Sequence, residues 1–315
     1  MLRIKFSAGR QFCASKSASS PSPKPLAAIS GDSAVGQRYY ADFEKFKKLK
    51  KSVMRTIIKK MMPKFLLNWY RSYRKKRVLH SYGGDKVLCL ICNSTFKEFG
   101  PYGSVPRKNA RCHQCGSLER HRLLWKYFNE KTDLFKADKK IRLLHFAPEE
   151  VFYDIFSTNQ NIEYYPCDLF PEKYAFVGSV KVKKADITDI SFEENYFDVI
   201  ICSHVLEHIP DDALAMSELH RVLKNGGWAI LQVPIDYYNI IRETTYEDFS
   251  ITTPEGRKKA FGQSDHVRWY GLDYKDRLKK VGFIVNEDDF VKSFSSEDLF
   301  RYGLRESELI YYCKK

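Results

Sequence analysis

The sequence predicts an α/β protein on a doubly wound, mostly parallel sheet, and three observations predict it. Residues 197–234, FDVIICSHVLEHIPDDALAMSELHRVLKNGGWAILQVP, read as strand, crossover helix, strand. Val199, Ile200 and Ile201 form the continuous apolar run of a strand covered on both faces. Upstream, IRLLHFA (141–147), Ile162 to Cys167 and Val180 to Ala185 supply three further short strands. A strand, a helix and a second parallel strand require a right-handed crossover.

Within 197–234, Pro210-Asp211-Asp212 breaks the chain and caps a helix from about Ala213 to Lys224. Leu214, Met216, Leu219, Val222 and Leu223 recur at helical spacing. Asn225-Gly226-Gly227 is expected to stop it, because Gly and Asn take the left-handed cap cheaply. Trp228 to Val233 is the next buried strand.

The 315 residues carry a formal charge of +14, unevenly placed. Residues 1–80 hold 20 Lys/Arg against 3 Asp/Glu; the remainder holds 33 against 36. The globular part is therefore near neutral and the basicity belongs to an N-terminal arm. No apolar run reaches the length of a membrane span. Eight cysteines, four of them in two CxxC pairs, point to a reducing compartment, hence the cytoplasm.

Residues 1–40 read as a disordered tail, and 1–31, rich in Arg, Lys and Ser without acid, also fit an organelle transit peptide. Residues 41–80 read as a basic amphipathic helical arm. Phe43, Phe46, Leu49, Val53, Ile57 and Met61 make its stripe, Lys and Arg fill most other positions, and Pro63 interrupts it. Three roles stay open for residues 38–80: an anionic membrane surface, RNA phosphates, or the protein's own domain under a solvated face.

Cys89-Leu-Ile-Cys92 is followed, nineteen residues later, by Cys112-His-Gln-Cys115. Two short thiol pairs at that distance read as a tetrahedral zinc site with Cys89, Cys92, Cys112 and Cys115 as ligands. Asn93 and Gly116 follow the second cysteine of each pair, and both types tolerate the positive φ that a knuckle needs. Four protein ligands leave no open position, so this zinc is structural. His113 and His121 are read as bystanders. A helix from Ser117, SLERHRLLWKYFNE, should tie this module (81–130) to the sheet through Leu123, Leu124, Tyr127 and Phe128.

The first strand runs into His145-Phe146-Ala147-Pro148-Glu149, where Pro148 and Glu149 suit a helix N-terminus. Asp168 ends the second strand about twenty residues on, where an acid reaches ribose hydroxyls. Ser203 and His204 begin the loop after the fourth strand, at the carboxyl edge where open α/β sheets bind ligands. His204 and His208 are four apart, but no third metal ligand is evident and Glu207 would point elsewhere on a helix. His208 is instead the first general-base candidate. Past Pro234-Ile235-Asp236, residues 237–264 form a polar, aromatic-rich insertion closed by DHVRWYG. In an extended stretch His266, Arg268 and Tyr270 share one side.

FDVIICSHVLEHIPDD with ELHRVLKNGGWAILQVP resembles class I S-adenosylmethionine-dependent methyltransferases, and more narrowly the type-11 methyltransferase-domain group, over roughly residues 138–315. CHQCGSLERHRLLW with LLHFAPE resembles methyltransferase-domain proteins that carry an N-terminal zinc module. The resemblance implies a seven-stranded Rossmann-like sheet closed by an antiparallel hairpin, preceded by a zinc-ribbon-like module and the basic arm. It implies S-adenosylmethionine as cofactor. His145, Ala147 and Glu149 then form a glycine-free cofactor loop, Asp168 holds the ribose, and Asp186 with the Ile187 backbone meets the adenine. It also implies that the insertion covers the acceptor, with Asp236, Arg268 and Tyr270 facing it.

Methyl transfer from a sulfonium is an in-line displacement, so a base is needed only where the acceptor must lose a proton. His208 and His266 are the candidates. The reading is a methyltransferase acting on a small-molecule, glycan or lipid-linked acceptor. The alternatives are an RNA methyltransferase using the arm and zinc module, and a non-catalytic binding protein on the same scaffold.

Overall fold

A computed structural model describes residue 73 and residues 75–103, 105–174, 180–236 and 240–315. The predicted tail and nearly all of the predicted arm lie outside them.

The main sheet has seven strands: β1 (Ile141–Phe146), β2 (Ile162–Asp168), β3 (Lys183–Lys184), β4 (Phe197–Ser203), β5 (Leu223–Gln232), β6 (Ile284–Asp288) and β7 (Ile310–Lys314). They lie in the order β6-β7-β5-β4-β1-β2-β3. β1 to β5 are parallel, and β7 inserts antiparallel between β5 and β6. The strand order therefore reverses between β1 and β4, which opens a crevice at their carboxyl ends.

Alternation along each strand builds two cores. Leu144, Ile200, Cys202, Ala229 and Leu231 face one layer, with Met216 and Leu219 of the helix Asp212–Val222. Leu143, Val199, Ile201 and Ile230 face the other, with Phe152 and Phe156 of the helix Glu150–Thr158. Period-two alternation between two apolar layers is what continuous apolar runs produce in a doubly wound sheet.

The helix after Pro210 ends at Val222, two residues short of the expected Lys224, and Asn225-Gly226-Gly227 lies inside β5. Asp211 caps its start by accepting from the Leu214 amide. Its C-cap is extended Leu223, while Gly226 takes φ +77° within a register shift between β4 and β5. The left-handed glycine makes a bulge, not a helix cap.

Two short antiparallel pairs, Val87–Leu88 with Thr95–Phe96 and Gly100–Tyr102 with Arg107–Arg111, carry the cysteines. The helix Glu119–Lys131 follows, and its Leu123, Leu124, Tyr127 and Phe128 join the second core. Arg122 on this helix is fully buried. It donates to the carbonyls of Ser117 and Ala110 (both 2.9 Å), Tyr302 (2.6 Å) and Gly303 (2.7 Å), and lies 4.1 Å from the Phe99 ring centre. Gly303 takes φ +56°, and a Cβ there would stand 2.6 Å from Phe99 and 2.8 Å from Arg122. Only glycine closes this junction.

Candidate active site

The four thiols converge. Cys89 and Cys115 Sγ are 3.6 Å apart and Cys92 and Cys112 Sγ 3.7 Å apart. A tetrahedron of sulfurs bound to zinc at about 2.3 Å has edges of about 3.8 Å. Asn93 and Gly116 both take positive φ, +54° and +77°. His113 stacks on Tyr82 and bonds the Glu98 carbonyl, so it stands outside the sulfur cluster.

On the cofactor side, the carboxyl ends of β1, β2 and β4 meet. Ala147 takes φ +49° and His204 φ +57°, a conformation that costs a non-glycine residue of the order of 1–3 kcal/mol. The Ala147 amide bonds the Cys167 carbonyl, and the His204 amide the Gln232 carbonyl. Both turns are therefore pinned to neighbouring strands.

His145 is buried and points inward. Its Nε2–H donates to Glu149 Oε2 (2.8 Å), and the Tyr164 hydroxyl donates to Nδ1 (2.9 Å). Burial alone would raise the Glu149 carboxyl, but the His145 bond outweighs it and holds the group at about 2. Glu149 Oε1 and Ser203 Oγ are buried without a hydrogen-bond partner. Buried polar atoms of this kind call for a ligand or water.

The Asp168 carboxylate accepts from the Phe170 amide and the Tyr174 hydroxyl (both 2.7 Å). Each oxygen keeps a lone pair for a further donor. Asp186 is exposed and accepts from the Thr188 amide and hydroxyl, while the Ile187 side chain is buried.

Past His204 lies a cavity of about 1260 Å³. Its wall draws on Tyr102, Arg107 and Arg120 from the zinc module and its helix, and on His204, Glu207 and His208 after β4. Asp236 after β5, Lys258 and His266 of the insertion, and Arg305 and Glu308 before β7 complete it. Charges of both signs therefore face the space. Among the residues read as cofactor-binding, His204 alone lines it.

Asp236 is clasped by Arg305 (2.5 Å) and Ser307 (2.8 Å). Glu207 is 1 % exposed; its Oε1 lies 3.4 Å from His204 Nδ1 and its Oε2 is buried without a partner. The Val267 amide donates to the Glu207 carbonyl (2.9 Å), which brings His266 beside it. The His208 and His266 rings meet edge to face at 4.7 Å, and burial pushes His266 down to about 4.

Arg268 and Tyr270 require correction as acceptor contacts. The expected alternation exists, and both side chains share the inward side with His266, but they are spent on the protein. Arg268 donates to Glu247 (2.8 Å) and to the carbonyls of Leu206, Ile209 and Pro210. The Tyr270 hydroxyl donates to Asp212 (2.6 Å). They fasten the loop that carries Glu207 and His208 and do not line the cavity. Sequence reasoning set Glu207 aside on helical geometry. Residues 206–208 form a 3₁₀ turn instead, and partners such as Arg305 and Glu308 carried no local signal.

His121 Nδ1 accepts from the Leu118 amide, and Nε2 lies 3.8 Å from Glu149 Oε1. Burial pushes His121 down to about 3, so the folded chain keeps it neutral. Below its ordinary value near 6.5 the unfolded chain binds a proton that the folded chain refuses, so stability falls as pH drops from about 6.5 toward 3. Urea unfolding at pH 7.5 and 5.0 should show a smaller pH difference in His121→Gln than in the parent, by up to about 1.4 kcal/mol per pH unit. Identical slopes would place the acid sensitivity elsewhere.

The sheet is Rossmann-like: six mutually parallel strands with one antiparallel strand, β7, inserted between β5 and β6, and a cluster of polar groups at the carboxyl edge. Residues 153–231 match the family profile described as "Methyltransferase domain", type 11.

An uncharacterized protein of Methanocaldococcus jannaschii is 37 % identical over 67 residues, 21 % of this chain and 29 % of that protein. A demethylmenaquinone methyltransferase of Staphylococcus aureus is 37 % identical over 126 residues, 38 % of this chain and 51 % of that protein. The matches thus span about half or less of these relatives' lengths. Among solved structures, an S-adenosylmethionine-dependent methyltransferase from Mesorhizobium loti is 13 % identical, with 56 % of this chain and 92 % of that chain covered at a TM-score of 0.38. One from Archaeoglobus fulgidus is 15 % identical, with 62 % and 91 % covered at 0.39.

Proposed function

We propose that the protein transfers a methyl group from S-adenosylmethionine to a polar small-molecule acceptor seated in the cavity, and that its four cysteines hold a structural zinc ion. The observation that carries the reading is His204. It ends β4 in a left-handed turn beside the unpartnered Ser203 hydroxyl and also lines the cavity, so one residue borders both ligand spaces.

S-adenosylmethionine supplies a methyl group already activated on a sulfonium. The chain's task is to hold donor and acceptor in line and keep water out. Asp168 accepts from ribose hydroxyls, Asp186 and the Ile187 backbone meet the adenine, and Glu149 and Ser203 offer oxygens to the amino-acid end. His208 and His266 line the cavity on the acceptor side of this reading. Mixed charge along the wall supports a polar, hydrogen-bonding acceptor, a small molecule or glycan, more than a bare lipid chain. The corresponding division of the chain is a zinc module with its linking helix at 81–130 and the methyl-transfer domain at 138–315. Among the described residues no helix is long and apolar enough to cross a membrane.

Titration calorimetry with S-adenosylmethionine and S-adenosylhomocysteine tests the reading. Both should bind, and Asp168→Ala should weaken both at least tenfold, about 1.4 kcal/mol. Absence of heat with either ligand would leave a binding scaffold without this cofactor.

A further inference from the structure

We propose that Glu207, His208 and His266 form a second metal site, for zinc or a neighbouring first-row divalent ion, in the wall of the acceptor cavity. The ligand atoms of the three residues lie within 4.8 Å of one another. Two imidazoles and one carboxylate suit such ions and leave coordination positions open.

Glu207 and His208 are each held from behind. Glu207 is buried with Oε1 beside His204, and its unpartnered Oε2 is the oxygen left to coordinate. A buried carboxylate oxygen without a donor is costly, and a cation compensates it. His208 Nδ1 lies 3.2 Å from the Asp265 carbonyl and 3.5 Å from its carboxylate. That is the outer hydrogen bond that ordinarily fixes a ligating imidazole. The Val267–Glu207 backbone bond and the Arg268 bonds to the Leu206, Ile209 and Pro210 carbonyls fix the two segments against each other. This site differs from the four-cysteine cluster, which has no open position.

The role of the ion rests on the methyl-transfer reading. An acceptor hydroxyl bound to it loses its proton to solvent near neutral pH. An oxygen lone pair then forms the O–C bond while the C–S bond breaks, its electron pair returning to sulfur.

Equilibrium dialysis of the full chain against Zn²⁺ or Co²⁺, with metal counted per chain, is the test. The parent should hold two ions, and His208→Asn and Glu207→Gln should each hold one. Retention of the intense thiolate-to-cobalt absorption in the variants shows the cysteine module still folded. The second ion should bind at least tenfold more weakly in each variant. One ion in the parent, or a second ion that survives both substitutions, would overturn the site. Calorimetry with S-adenosylmethionine on the same samples keeps the two ideas apart: two ions without cofactor binding defeats the transferase reading alone, and cofactor binding with one ion defeats the metal site alone.

Discussion

Cys112→Ser is expected to abolish the zinc binding proposed for the four cysteines and to unfold residues 85–117. The buried cluster around the cysteines is Val87, Cys89, Phe96, Phe99 and Cys112. Five residues cannot cover the entropy of ordering some thirty more. Structural zinc contributes about 10–16 kcal/mol to small modules of this type, so its loss decides whether the segment folds. Limited proteolysis should cut between Asn93 and Lys108 in the variant and spare the parent, with zinc counted in parallel. A variant that keeps its zinc and resists cleavage would show the thiols to be ordinary core residues.

Arg122→Met should destabilise the protein by about 3–5 kcal/mol in urea unfolding, since a hydrogen-bonded buried group is removed with no replacement. The methionine fills the volume but takes a donor away from four carbonyls, of which that of Ser117 still accepts from the Cys112 amide. Arg122→Lys should recover little, because one ammonium cannot reach four oxygens spread around a planar fork. The guanidinium also lacks a bonded carboxylate. Burial lowers its pKa, while Cys89, Glu119, Cys112 and Cys115 oppose that. A zinc ion held by four thiolates, as proposed above, would carry a net charge of −2, and the Arg122 charge would offset part of it. Arg122→Met should therefore also loosen zinc, read as faster release to a chelator. A loss below 1 kcal/mol would mean that water replaces the fork.

The sheet was legible because each strand obeys a local rule. Val199 to Ile201 had to be covered on both sides, and the two apolar layers are what covers them. The convergence of the four cysteines was legible because spacing and knuckle residues agree. Asn225-Gly226-Gly227 misled because a left-handed glycine serves a helix cap and a strand bulge equally, and only the pairing with β4 decides. The inward side of the DHVRWYG stretch was legible, but the partners of Arg268 and Tyr270 were not. Their acceptors, Glu247, Asp212 and the carbonyls of residues 206, 209 and 210, come from loops whose meeting no local pattern encodes. Glu207 was missed for the same reason: its neighbour His266 arrives from 59 positions away.

The junction at Arg122 also sets an order of events during synthesis. Two of its four acceptors, the Tyr302 and Gly303 carbonyls, lie 180 and 181 residues downstream. At about 5–20 residues per second, roughly 10–40 s separates translation of the arginine from that of its partners. For that interval the nascent cysteine module can load the proposed zinc ion but has nowhere to dock, and the guanidinium must stay hydrated outside the ribosome. Completion of the last helix and strand, not metal capture, is then what commits the two halves to one another.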